Sequence, residues 1–132
     1  MKFSHLFLFF GLCVSLAQGE KRLEFNRDIR PILSNACFHC HGPDEKERFG
    51  GLRLDLESHA FKPAKSGFPA IVKGDAEESE LIARIFLPDN DEDLMPPLDS
   101  GKSITKEQKE ILRKWIDQGA EYQGHWAFIT PE

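Results

Sequence analysis

Cys37-Phe38-His39-Cys40-His41 is the segment whose residue types and spacing point most directly to chemistry. It has the form C-x-x-C-H, which reads as a c-type haem attachment site. Two thiols three positions apart on a helical turn can reach two vinyl groups on one porphyrin edge and fix the ring by thioether bonds. The next residue, His41, then projects its imidazole at the iron from the proximal side. A thioredoxin-like redox pair would share the C-x-x-C, but the chain lacks that fold's alternating strands and helices. A zinc site would need two more ligands at ligand spacing, and His59 and His125 are isolated. His39 lies between the cysteines, where its side chain points away from the iron into solvent. Gly42-Pro43 follows directly, a turn by which the backbone leaves the haem edge.

An electron-transfer haem usually carries six-coordinate iron, so a second axial ligand is needed. The downstream candidates are Met95, His59 and His125. Met95 sits in Leu94-Met95-Pro96-Pro97, where two prolines stiffen the loop and push Met95 itself out of the α region. Such a loop can hold a thioether against a metal at little entropic cost. A lone Met is more often a core filler, but the C-x-x-C-H upstream favours Met95 as the ligand. His59 lies in a polar stretch and His125 near the C-terminus, and both stay open as alternatives.

The elements that must position these residues belong to a chain of 132 residues, enough for one domain and too little for two separate cores. The formal net charge of −5 argues against nucleic acid or an anionic membrane surface as main partner. No apolar run reaches the roughly 18 residues needed to span a bilayer. Residues 1–17, MKFSHLFLFFGLCVSLA, begin with Lys2, continue through an apolar core and end in small residues. This is the pattern of a secretory signal peptide, cleaved after Ala17 or Gly19. Cys13 follows Leu12 rather than a small residue, which argues against a lipid anchor. Only Cys37 and Cys40 remain in the mature chain, a poor staple for a domain in a disulfide-permissive compartment.

A first helix is expected to start near Asn26 or Asp28, with Asp28 the favoured cap, and to run to about Asn35, with Ile29, Ile32, Leu33 and Ala36 on its apolar face and Pro31 tolerated in its first turn. Residues 43–74 read as a long polar loop covering one haem edge. Within it Leu52, Leu54 and Leu56 alternate with Arg53 and Asp55, the pattern of a short strand. Ala70-Ile71-Val72 is its expected partner in a β-hairpin. Asp75 to Glu78 is a capping-box-like start for a helix with Leu81, Ile82, Ile85 and Phe86 on one stripe, ended by Pro88. That stripe is core or haem wall. Thr105-Lys106-Glu107-Gln108 is a capping box for a last helix carrying Ile111, Leu112, Trp115 and Ile116, closed by Gly119. Trp115 is expected in the core where this helix crosses the first. The tail from Tyr122 lacks a helix pattern.

Two charged features have more than one reading. Arg53 is either solvated or paired with a haem propionate. The acidic run Asp89-Asn90-Asp91-Glu92-Asp93 beside Met95 is a solvated loop or a docking patch for a partner with a basic surface. As a calcium loop it lacks the glycine and the distant Glu of an EF-hand.

The order of these motifs resembles the planctomycete-type cytochrome c domain. The resemblance rests on Phe25-Asn26-Arg27-Asp28-Ile29-Arg30-Pro31-Ile32-Leu33 leading into Cys37-Phe38-His39-Cys40-His41-Gly42-Pro43. It continues through Gly51-Leu52-Arg53-Leu54-Asp55, Ile71-Val72-Lys73-Gly74-Asp75, Ser79-Glu80-Leu81-Ile82, Met95-Pro96-Pro97, Trp115-Ile116-Asp117-Gln118-Gly119-Ala120 and His125-Trp126-Ala127-Phe128. It implies a mostly helical, cytochrome c-like haem domain with haem attached at Cys37 and Cys40 and iron ligated by His41 and Met95. In that family the domain commonly opens a longer exported protein, whereas this sequence stops at Glu132. Nothing is therefore implied about functions carried by further domains.

The expected organisation is a signal peptide over 1–19, an all-α monohaem cytochrome domain over 20–123 with a short β-hairpin in its long loop, and a tail over 124–132. The expected activity is single-electron transfer outside the cytoplasm by one covalent haem c, with a redox protein as partner, no nucleic acid, and no membrane span after signal cleavage. With both axial positions filled and no catalytic residue set, the sequence reads as a carrier, not an enzyme. The alternative is a haem-based sensor or small-ligand binding module with a displaceable Met95.

Overall fold

The computed structural model describes residues 19–124. Residues 1–18 of the expected signal peptide, with Cys13, and residues 125–132 of the expected tail, with His125-Trp126-Ala127-Phe128 and so the candidate ligand His125, lie outside the described residues. In chain order come a π-helical turn Phe25–Ile29 and the helices α1 (Arg30–Ala36), α2 (Phe38–His41), α3 (Glu57–Ala60) and α4 (Glu80–Ile85). A 3-10 turn Leu98–Ser100 and the longest helix, α5 (Lys106–Asp117), follow. Among the described residues there is no strand, only isolated bridges Pro63–Pro69 and Val72–Asp75. The domain is helix-rich, compatible with a small helical cytochrome.

The core forms where the first helical segment and α4 pack on α5. Ile29 and Leu33 from one side meet Leu112, Trp115 and Ile116 from the other, all essentially without exposure. The spacing of these residues on α5 is that of one helical face. Phe25, Trp115 and Tyr122 stack into a cluster with ring centroids 4.3–5.7 Å apart. Trp115 is thus core, as its stripe predicts. Gln118 accepts the N–H of Leu23 and donates to the Lys21 carbonyl, so the start of the domain is tied to the end of α5.

Helix boundaries follow local chemistry. Thr105 Oγ1 accepts the Gln108 N–H, and Gln108 Oε1 accepts the Thr105 N–H, which is the predicted capping box. Gly119, at φ 108°, ends α5 as its sequence predicts. Its N–H donates to Ile116 while Ala120 donates to Trp115, closing both orphan carbonyls in a Schellman arrangement.

Three expectations need correction. The first helical segment begins at Phe25, and Asp28 is not its cap but lies inside the π turn, where its carboxylate accepts the Glu24 N–H at 2.8 Å. The wider turn brings the chain to Pro31 at the start of α1, the one place where a missing N–H does no harm. Asp75 likewise caps a turn, accepting the Glu78 N–H, and α4 starts only at Glu80. The hairpin does not form, because the backbone groups it would use are committed elsewhere. Leu54 donates to the His41 carbonyl, Ile71 to the Ala60 carbonyl and Val72 to the Ser79 hydroxyl. The leucine alternation instead sends Leu52 and Leu54 to the wall of a cavity.

Candidate haem site

The C-x-x-C-H segment is helical. Cys37 bridges α1 and α2, donating to the Leu33 carbonyl at 2.8 Å and accepting the His41 N–H at 2.8 Å. This turn carries both thiols and the imidazole on one short, firmly bonded element. Gly42 ends it, and here glycine is required by space: a Cβ would collide with the Phe38 carbonyl. Arg48 then locks the exit, donating to the Gly42 and Pro43 carbonyls at 3.0 and 2.8 Å.

Two cavities, of about 430 and 320 Å³, adjoin this turn. Both are lined by Cys37, His41, Phe49, Ile85 and Met95, and Cys40 faces the second. These volumes lie within the range of cofactor sites. Four residues predicted from sequence, Cys37, Cys40, His41 and Met95, therefore converge. His59 does not join them; it sits exposed at the end of α3, its ring against the Ser58 hydroxyl. His39 is solvent-facing at the rim of the second cavity, its side chain 66% exposed. Arg53 is paired with Asp55, at 2.5 and 3.1 Å, and lines neither cavity.

The electrostatics suit a neutral donor set. Burial lowers the His41 pKa, which keeps the ring in the form that offers a lone pair to a metal. The Phe49 backbone acts in the opposite sense, and the charge of Arg84 lowers the pKa further. Nδ1 of His41 is buried and closes no hydrogen bond of ordinary geometry. Burial, with a smaller contribution from Cys40, pushes the Cys37 thiol up to about 12. Such a thiol is a poor nucleophile for disulfide exchange.

The residues present fit a covalently held haem. They comprise two thiols on one turn, a neutral imidazole on the same turn, a thioether lining the same cavities, and apolar walls from Ile85, Leu81 and Leu54. The α4 stripe thus divides: Leu81 and Ile85 face the cavity, whereas Ile82 is core only. Phe49 and Arg84 are the site residues that sequence reasoning missed. Phe49 is 66% exposed yet lines both cavities, held there by its N–H bond to Cys40. Its only advance signal was an aromatic directly before Gly50-Gly51.

Fold and site together define a small helical domain organised around a C-x-x-C-H turn beside two cavities. Residues 37–99, just under half of the chain, match the family model described as Planctomycete cytochrome C, which supports a cytochrome c domain of this type. The domain is a haem-binding electron carrier whose cofactor is a c-type haem with iron and whose partner is a redox protein. Neither the curated proteins nor the solved structures compared with the chain gave a match. No helix among the described residues is long and apolar enough to cross a membrane.

Proposed function

We propose that the protein is an exported monohaem c-type cytochrome that passes single electrons by outer-sphere transfer. In this reading Cys37 and Cys40 would hold the haem, and His41 and Met95 would ligate its iron. The observation that carries it is that His41, Met95 and Cys37 all line the same two cavities. When bound, the haem supplies an iron that cycles between ferric and ferrous states. The chain's own residues do the rest. The two thiols fix the ring in place, so it cannot be lost outside the cytoplasm. The neutral imidazole of His41 and the thioether of Met95 would both ligate the iron, which would leave no site for substrate and make this a carrier rather than an enzyme. A thioether raises the potential relative to bis-His ligation. Ile85, Leu81 and Leu54 keep water from the metal. The export reading rests on the signal-like residues 1–19. The exposed acidic run 89–93 beside Met95 suits a partner with a basic docking surface.

The test is the visible spectrum of the exported protein after acid–acetone extraction. Retained colour, with the weak red thioether-to-iron band in the ferric state, is the expected result. Retained colour without that band would remove Met95 from the iron. A colourless protein from a host competent in haem attachment would overturn the reading.

A further inference from the structure

The loop that presents Met95 hangs on one residue of α4. Met95 donates its backbone N–H to the Arg84 carbonyl at 3.3 Å. The Arg84 guanidinium reaches the same loop two residues earlier, donating to Asp93 at 3.0 Å. Its other edge donates to Glu80 at 2.8 and 3.0 Å, and Glu80 in turn accepts the Ser66 hydroxyl at 2.6 Å. The chain Ser66–Glu80–Arg84–Asp93 thus runs from the long loop, over α4, to the loop carrying Met95. Ser66, Glu80, Arg84 and Met95 all line the larger cavity. The inner pair is sheltered, with side chains 29% and 19% exposed, whereas Asp93 is 73% exposed.

We infer that Arg84 is a positioning residue for the Met95 thioether: braced by Glu80, its guanidinium clasps the loop through Asp93 while its carbonyl holds Met95 itself. This rests on the reading of Met95 as axial ligand. A flexible loop ending in a long, unbranched side chain would release its sulfur often. A clasp two residues from that side chain reduces the population of the released state. The arm to Asp93 is exposed, so its contribution is modest, of the size of an exposed ion pair.

The experiment uses the holoprotein with Asp93→Asn, Arg84→Gln and Arg84→Lys. Added imidazole is titrated against the ferric protein, because it binds only where Met95 has left the iron. Its apparent affinity therefore reports the released fraction. Asp93→Asn is expected to raise that affinity about two- to fivefold, and Arg84→Gln further, with Arg84→Lys in between. The far-UV melting midpoint of Asp93→Asn stays unchanged, and hydrogen exchange at the Met95 amide speeds up in Arg84→Gln. Unchanged imidazole affinity in Asp93→Asn and Arg84→Gln, in protein that retains the thioether band, would overturn the clasp alone. So would a rise in Asp93→Asn that only follows a lowered melting midpoint. A parent protein without the band would instead overturn the ligand assignment on which the clasp rests.

Discussion

The hydroxyl of Tyr122 donates to the backbone carbonyl of Leu54 at 2.9 Å. The N–H of Leu54 donates in turn to the carbonyl of His41, also at 2.9 Å. Two hydrogen bonds thus join the aromatic cluster at the end of α5 to the haem-attachment turn. Burial pushes the Tyr122 pKa up, so the phenol stays a donor across the working range of pH. Tyr122→Phe keeps the ring stack on Phe25 and Trp115 but removes the donor to Leu54. Loss of about 1–3 kcal/mol of stability is expected, measured by urea denaturation. If the protein unfolds at the parent's urea concentration, the bond contributes nothing.

Gly42 is the last residue before the chain leaves the attachment turn. Its extended backbone, at φ −132° and ψ −156°, is open to other residues, so the demand for glycine is one of space. Gly42→Ala forces its methyl against the Phe38 carbonyl. The backbone must shift by bending the turn that carries Cys40 and His41. A cost of about 1–3 kcal/mol is expected, with fewer haems held per chain after extraction. Full haem retention with a parental melting temperature would show that the turn yields without strain.

Acid tests the π turn. The Asp28 carboxylate is held at about 2, below its ordinary 3.8, first by the Arg27 guanidinium and then by the Glu24 N–H. A depressed carboxylate contributes stability that is complete above the unfolded value and is lost as pH falls toward the folded one. The window is therefore pH 3.8 down to about 2. Asp28→Asn is expected to be less stable than the parent at neutral pH and to lose less stability across that window. Parallel stability curves for the two proteins would exclude this source of acid sensitivity.

The capping box at Thr105 offers a further measurement away from the haem. Thr105→Ala leaves the Gln108 N–H without its side-chain acceptor, and a cost of about 1 kcal/mol is expected. Because α5 supplies Leu112, Trp115 and Ile116 to the core, the loss is expected to appear in global unfolding and not as local fraying. Fraying confined to the first turn, seen by hydrogen exchange, would contradict this coupling.

The difference between what the sequence disclosed and what it concealed has a physical pattern. That Cys37, Cys40 and His41 would come together was legible because C-x-x-C-H fixes residue types at fixed spacing on one turn. Met95 was legible because two prolines follow it. Thr105 with Gln108 announced a helix start, and Gly119 its end, through local hydrogen bonding alone. The leucines at 52, 54 and 56 misled because alternation fixes side-chain faces and not where backbone groups bond. Leu54 bonds His41, while its expected partners Ile71 and Val72 bond Ala60 and Ser79, so the two segments do not pair with each other. Asp75 misled in the same way, since an Asx turn and a helix cap share one motif. Phe49 and Arg84 were illegible because their roles depend on loops that meet only in the folded chain. An exposed Phe and an arginine on a helix carry no local signal of the cavity they share.

The ligand assignment can be separated from the attachment by substituting each in turn. Cys37→Ala or Cys40→Ala removes one thioether, and the double variant should lose its colour to acid–acetone. Met95→His leaves both thiols and the attachment turn intact, so colour should survive extraction. The red band should vanish, because no thioether reaches the iron. The midpoint potential should move negative, since imidazole stabilises ferric iron better than a thioether does. Met95→Ala should also keep its colour but bind added imidazole more tightly than the parent, with no side chain to displace. His59→Ala is the control, because its ring lies outside both cavities. If that variant loses the parent's spectrum while Met95→Ala keeps it, the second ligand comes from α3 and the Met95 loop serves only as a wall.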